Sequence, residues 1–162
     1  MMMYKLVRSQ QLNCNIETAW HFFSSPHNLA RITPGDMNFK VTSKDAHENI
    51  YPGMTIDYTV TPLLGIPVAW RTKILQVDEW KSFTDYQLKG PYKTWKHFHE
   101  FIPNDQGVLM KDTVDYTLPF GIVGDITHAL LVKKKLDYIF NYRYRVLEKL
   151  FNAKKECIKD EV

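Results

Sequence analysis

The hydrophobic period of this 162-residue chain changes once, near Val123, and that change limits the fold more than any other feature. Upstream, Met54, Ile56, Tyr58 and Val60 alternate with Thr55, Asp57, Thr59 and Thr61, the period-two pattern of a strand with one wet face. Val68–Val77, Phe83–Leu88, Thr94–Ile102 and Val108–Leu118 read as further strands, with turns at Gly90-Pro91 and Asn104-Asp105-Gln106-Gly107. Connections this short favour an antiparallel meander over parallel crossovers. Downstream, Ile126, Leu130, Lys133, Leu136, Phe140, Arg143, Leu147 and Leu150 fall three or four apart, a stripe along one long helix from Val123 to Phe151. The polar tail from Asn152 onward is expected to fray.

The N-terminal part adds a strand over Tyr4–Leu12 and two short helices. Asn15 caps the first, whose apolar face is Ala19, Trp20, Phe22 and Phe23, and Ser24-Ser25-Pro26 breaks it. The second runs through Asn28–Ile32 and ends before Pro34-Gly35, and Phe39, Val41 and Ser43 then alternate as a strand. The predicted architecture is α+β, one domain over residues 1–162: a curved antiparallel sheet of about seven strands wrapped on a long C-terminal helix, with two short helices after the first strand. A sheet with one apolar face must cover it, and only the C-terminal helix is long enough. Strands bent around one helix leave a wedge whose filling depends on side-chain size.

Composition narrows the function classes. A net charge of +3, with Lys133-Lys134-Lys135 and Lys154-Lys155 as the longest basic runs, argues against nucleic acid. Cys14 and Cys157 have no metal-ligand spacing and read as free thiols. The start, Met1 to Arg8, has neither the basic nor the apolar region of a signal peptide, and no segment suits a bilayer span. The expected location is cytoplasmic, without stable membrane insertion, as a monomer or homodimer. Nine Tyr, nine Phe and four Trp are enough rings to fill a core or to line an apolar cavity.

Strand parity singles out a polar cluster. Trp95, His97, His99 and Phe101 share one face of their strand. On the next, the polar set Leu109, Lys111, Thr113, Asp115 and Thr117 faces water, sending Met110, Asp112, Val114, Tyr116 and Leu118 inward. A buried Asp needs a partner, and either a histidine or Arg143 on the helix stripe is available. His97, His99 and Asp112 are the candidates for acid–base catalysis, against the plainer reading in which the cluster ties strand to helix or orients a ligand. A metal site is not expected, because His97 and His99 need at least one more ligand; no cofactor is expected either. Trp20, Phe22 and Phe23 read as core, whereas Trp70, Phe83 and Trp95 suit a cavity wall. His21, His27, His47 and His128 stand alone, and Asp57, Glu79 and Asp85 look solvent-facing or unassigned. The chain carries no phosphate loop, nucleophile elbow or Cys–His pairing. The apolar loop Leu63-Leu64-Gly65-Ile66-Pro67 either gates a cavity, touches a membrane or partner, or packs on the helix end.

The element order, together with Ile32-Thr33-Pro34, Gly53-Met54-Thr55-Ile56-Asp57-Tyr58, Trp70-Arg71-Thr72-Lys73-Ile74, Gly90-Pro91-Tyr92 with Trp95, His97, His99 and Phe101, Met110, Asp112, Tyr116-Thr117-Leu118-Pro119 and Tyr142-Arg143, resembles the helix-grip fold of the START-related (SRPBCC) superfamily. That superfamily includes birch-pollen-allergen-like proteins and polyketide cyclases. The residues look most like a bacterial branch described as ligand-binding or cell-division-inhibitor-like. The resemblance implies the fold but carries no chemistry. The first expectation is a binding module for a lipid-like or aromatic molecule between sheet and helix, rather than an enzyme. Its expected contacts are Trp70, Phe83, Trp95, His97, His99, Met110, Asp112, Tyr116, Phe140 and Arg143. The alternatives are a cyclase, dehydratase or hydrolase using a His/Asp pair, and a cavity-less domain that binds a protein partner.

Overall fold

The computed structural model describes residues 2–43, 46, 49–62, 65–119 and 121–153, with backbone alone over 121–129. His47, Leu63, Leu64, Lys154, Lys155 and Cys157, and the side chains of Ile126 and His128, lie outside the described residues. The order is β1 (Met3–Leu12), α1 (Ile16–Phe23), α2 (Pro26–Arg31), a 3-10 turn (Gly35–Met37), β2 (Lys40–Val41), β3 (Thr55–Val60), β4 (Val68–Asp78), β5 (Ser82–Lys89), β6 (Thr94–Asn104), β7 (Gly107–Thr117) and α3 (Gly121–Leu147), ending in a π-helical turn at Glu148–Asn152. The strands form one seven-stranded sheet in the order β1-β7-β6-β5-β4-β3-β2. Every neighbouring pair is antiparallel, so the expected meander runs from β2 to β7 and β1 returns to pair with β7.

Local chemistry explains the short helices. Asn15 Oδ1 accepts the Thr18 N–H at 2.9 Å, satisfying one of the donors that every helix start exposes. Ser24 ends α1, and Pro26 opens α2 at its first turn, where a missing N–H costs nothing. Trp20, 4% exposed, pins α1 to the sheet through edge contacts with Phe83 and Phe101.

The sheet curves where β4 slips against β5, with register shifts between Arg71 and Thr72 and between Ile74 and Gln76. Such bulges bend a strand and raise its twist. Here the bulge also changes parity: Thr72 and Ile74 are buried, Leu75 and Gln76 are exposed, and Val77 turns inward opposite Phe83.

Three sequence expectations need correction. The strand expected from Phe39 to Ser43 is only Lys40–Val41, because the Thr42 and Ser43 N–H groups both turn to the Asp57 carbonyl and end the ladder. On α3 the buried stripe is Val132, Leu136, Phe140, Arg143 and Leu147, whereas Leu130 is 61% exposed, Leu150 is 43% exposed and Lys133 reaches Asp137 on the surface. A sheet-facing stripe is narrow, so an apolar residue two positions from Val132 points away from it. The helix end is also tied down through Asn152, which is not frayed: its Nδ2 donates to the Gln11 carbonyl at 2.8 Å, and its Oδ1 accepts the Asn13 N–H at 2.9 Å. Gln10 Nε2 donates to the Tyr144 carbonyl and to Glu148 Oε1 at 3.0 and 2.8 Å.

The inner face divides into three apolar clusters. Leu12, Trp20, Phe83, Phe101, Met110 and Leu147 pack at one end of the sheet, and Leu6, Trp95, Tyr116, Val132, Leu136 and Phe140 at the other. Met54, Ile56 and Ile74 form the third. Two positions test this arrangement. Leu147 is fully buried, and Leu147→Ala is expected to cost about 2–5 kcal/mol in urea unfolding. Gly107 closes the β6–β7 hairpin at φ +121, where a Cβ would lie 2.3 Å from the Leu12 carbonyl oxygen. Gly107→Ala is expected to cost about 2 kcal/mol or more, and an unchanged midpoint would contradict the turn geometry.

Candidate functional site

The three clusters leave a cavity of about 350 Å³ between the sheet and α3. Its walls are mostly rings and branched chains: Ile56, Tyr58, Trp70, Phe83 and Trp95 from the sheet, Leu136 and Phe140 from α3. Phe22 and Phe23, expected in the core, reach the cavity as half-buried lining residues from the end of α1. Its polar lining includes Asp85 on β5, His97 and His99 on β6, Lys135 and Arg143 on α3, and the hydroxyls of Tyr58 on β3 and Thr72 on β4, which bond each other.

Of the ten residues expected to contact a ligand, Trp70, Phe83, Trp95, His97, His99, Phe140 and Arg143 line the cavity. Met110, Asp112 and Tyr116 do not: Met110 packs with Leu12 and Phe101, and Tyr116 stacks on Tyr4. Asp112 stands behind the histidines, 1% exposed. All three face inward as their parity requires, but neighbouring rings cover them. Asp85 is the residue that sequence reading left unassigned. It shares the inner face of β5 with Phe83 and Gln87, lies opposite His97 across the β5–β6 ladder, and its side chain is only 15% exposed. The signal was available in its spacing from Phe83, but Tyr86 and Leu88 compete for the inward face in sequence.

Asp112 does not choose between a histidine and Arg143; it engages all three. Its Oδ1 lies 3.0 Å from His97 Nε2 and 2.8 Å from His99 Nδ1, and its Oδ2 lies 3.4 Å from Arg143 Nη1. The His97 contact is an aligned hydrogen bond, whereas His99 Nδ1 is close but off the bonding direction. Asp85 Oδ2 accepts from His99 Nε2 at 3.0 Å and lies 3.8 Å from His97 Nδ1. The two imidazoles, with ring centres 3.7 Å apart, are thus bracketed by two carboxylates. Trp70 Nε1, His99 Nδ1 and Arg143 Nε are buried and make no hydrogen bond among the described residues.

Protonation follows from this bracket. Burial disfavours charge on Asp112, but the charge and hydrogen bond of His97 and the contacts of His99 outweigh it and hold the carboxyl well below its usual 3.8. Asp112 is therefore an acceptor, and His97 carries its proton on Nε2. Burial, then the neighbouring His99 charge, lowers the His97 pKa below 6.5. Burial opposes charge on His99 too, but the two carboxylates beside its ring nitrogens, Asp112 and Asp85, prevail and raise it above 6.5. Linkage gives these shifts opposite signs. The His99 contribution to stability is full below 6.5 and fades as pH rises through its folded value. The His97 contribution is full above 6.5 and fades as pH falls from there. That of Asp112 is lost only in acid, below 3.8. A ¹⁵N-imidazole NMR titration in chelator is expected to give one buried histidine titrating below 6.5, starting as the Nε2–H tautomer, and one above it. Two histidines titrating together at the usual value would contradict the bracket.

No family model and no curated protein matches this chain. Solved structures do match. Protein CV1439 of Chromobacterium violaceum superposes with a TM-score of 0.70 at 14% identity, covering 93% of this chain and 99% of that one. TTHA0849 of Thermus thermophilus gives 0.67 at 15% identity over 90% and 95%. Ginseng major latex-like protein 151 of Panax ginseng gives 0.67 at 16% identity over 94% and 100%. Among the described residues no helix is long and apolar enough to cross a membrane. At these identities the likeness establishes the fold, and the chain has the α+β helix-grip fold that its element order predicts.

Proposed function

We propose that the chain binds an amphipathic small molecule, with an apolar body and an oxygen-bearing end, in the cavity between the sheet and α3. The observation that carries this reading is the combination of an aromatic wall with buried donors that lack partners. A volume of about 350 Å³ lies within the range of small-molecule sites and is larger than packing defects in a filled core. Trp70 Nε1 and Arg143 Nε belong to cavity-lining residues and have no acceptor among the described residues. A buried donor without a partner costs roughly 1–3 kcal/mol, which an acceptor on the ligand recovers. The open interior favours this reading over a domain that works through a filled core.

Two fluorescent probes test the reading, anionic 1-anilinonaphthalene-8-sulfonate and neutral N-phenyl-1-naphthylamine. Both are expected to bind at one site. Ile139 lines the cavity from α3 and is half-buried, so Ile139→Trp fills space without opening the core, and it is expected to weaken both probes at least about tenfold. Arg143→Met keeps much of the stem volume and removes the charge. It is expected to weaken the anionic probe roughly 10- to 100-fold, in line with a charged hydrogen bond, and to leave the neutral probe nearly unchanged. Probe binding that ignores Ile139→Trp would place the bound molecule elsewhere and overturn the assignment.

A further inference from the structure

We propose that Asp85, His97 and His99 form a binding site for a zinc-type divalent metal ion, open on its cavity side, with Asp112 positioning both imidazoles from behind. The spacing of His97 and His99 lacked a third ligand in sequence, and β5 supplies it. One ligand atom from each of the three residues lies within 4.8 Å of the other two. Asp85 Oδ2 stands 3.0 Å from His99 Nε2 and 3.8 Å from His97 Nδ1. Ligand atoms about 2.0–2.1 Å from a tetrahedral ion sit about 3.3 Å from one another, so both Asp85 separations lie within about half an ångström of that value, and the two imidazole nitrogens lie within 4.8 Å of each other.

The remaining nitrogens supply a second, independent observation. His97 Nε2 and His99 Nδ1 both face Asp112 Oδ1, at 3.0 and 2.8 Å. Metal-bound histidines almost always give their other N–H to a carboxylate or carbonyl, which fixes the tautomer and the ring. Here one carboxylate serves both rings, and it is among the most buried groups in the chain, at 1% exposure. His99 Nδ1 is also buried without an aligned hydrogen bond. While Nε2 of His99 bonds Asp85, Nδ1 is left off-axis beside Asp112. An ion on Nε2 leaves the proton on Nδ1, where its partner already waits.

The donor set of two imidazoles and one carboxylate suits zinc and neighbouring first-row ions rather than magnesium or calcium. No fourth His, Cys, Asp or Glu joins the three among the described residues. Three protein ligands facing a cavity give the open kind of site, which keeps a position for water or a ligand atom. The charges facing the ion are Asp85, Asp112 and Arg143, and Arg143 is turned to the far oxygen of Asp112, Oδ2. Two carboxylates and one guanidinium leave a net charge of −1 beside two neutral imidazoles, which a divalent ion turns to +1. An oxygen-bearing anionic ligand end then completes the balance.

The site is read without any cavity ligand, so its fate is separate from that of the binding reading above. Protein stripped with a chelator and dialysed is titrated with Co²⁺, followed by visible d–d absorption, and with Zn²⁺ by calorimetry. One equivalent is expected to bind, with the intense absorption of a four- or five-coordinate ion. Proton NMR of the Co²⁺ form is expected to show two hyperfine-shifted, exchangeable imidazole N–H resonances, from the nitrogens that face Asp112. Asp85→Asn and His97→Gln are expected to weaken binding at least about 100-fold. Asp112→Asn keeps the absorption and weakens binding about 10- to 100-fold, the usual effect of removing a ligand's supporting carboxylate. If wild-type protein shows no stoichiometric Co²⁺ absorption, or only one shifted N–H, the site is overturned whether or not the variants fold. Undiminished binding by folded Asp85→Asn has the same consequence.

Discussion

A carboxylate with 1% of its surface exposed, Asp112, is the constraint around which the interior is arranged. Burying such a charge alone costs several kcal/mol. It is tolerated because β6 brings two imidazoles to one oxygen and α3 brings a guanidinium to the other. The same contacts join strand, neighbouring strand and helix at the middle of the fold. A shift of α3 along its axis by one turn would separate Arg143 from Asp112, so this pair contributes to the helix register together with the Gln10 and Asn152 bonds at the helix end.

Around that polar centre the packing is divided rather than continuous. One cluster closes the end of the sheet against α1 and the tail of α3, and another closes the opposite end against the middle of α3. The bulged β4 curves the sheet between them, so the inner faces of β3, β4 and β5 stand away from the helix. Large rings on such a surface line a space instead of interlocking across it. The cavity is therefore a consequence of sheet curvature and helix length together.

The chemistry of the cavity follows from where its polar groups sit. Asp85, His97, His99 and Arg143 lie among apolar neighbours, where each hydrogen bond or ionic contact is stronger than in water and each missing one is dearer. Among the described residues, the Trp70 and Arg143 donors without acceptors mark places where a bound acceptor would recover a hydrogen bond. The histidine pair is held from both sides, by Asp112 behind and Asp85 in front, which fixes ring orientation before anything binds.

Much of this was legible in the sequence. Period-two parity alone sends His97, His99 and Asp112 inward, because side chains on a strand alternate strictly. The helical period alone places Arg143 in line with Leu136, Phe140 and Leu147. Parity does not say which inward groups meet a cavity and which are covered, so Met110 and Tyr116 pointed the right way and still lie in packed clusters. It does not show Asp85 either, since contact with His97 and His99 depends on the β5–β6 register, a pairing between segments. The phase of α3 near Leu130 and the anchoring of Asn152 likewise depend on what the helix lies against. Local pattern determined the elements and their faces. Only the tertiary structure, through strand register, bulge and helix docking, decided which faces meet, because those are contacts between parts of the chain that carry no sequence period in common.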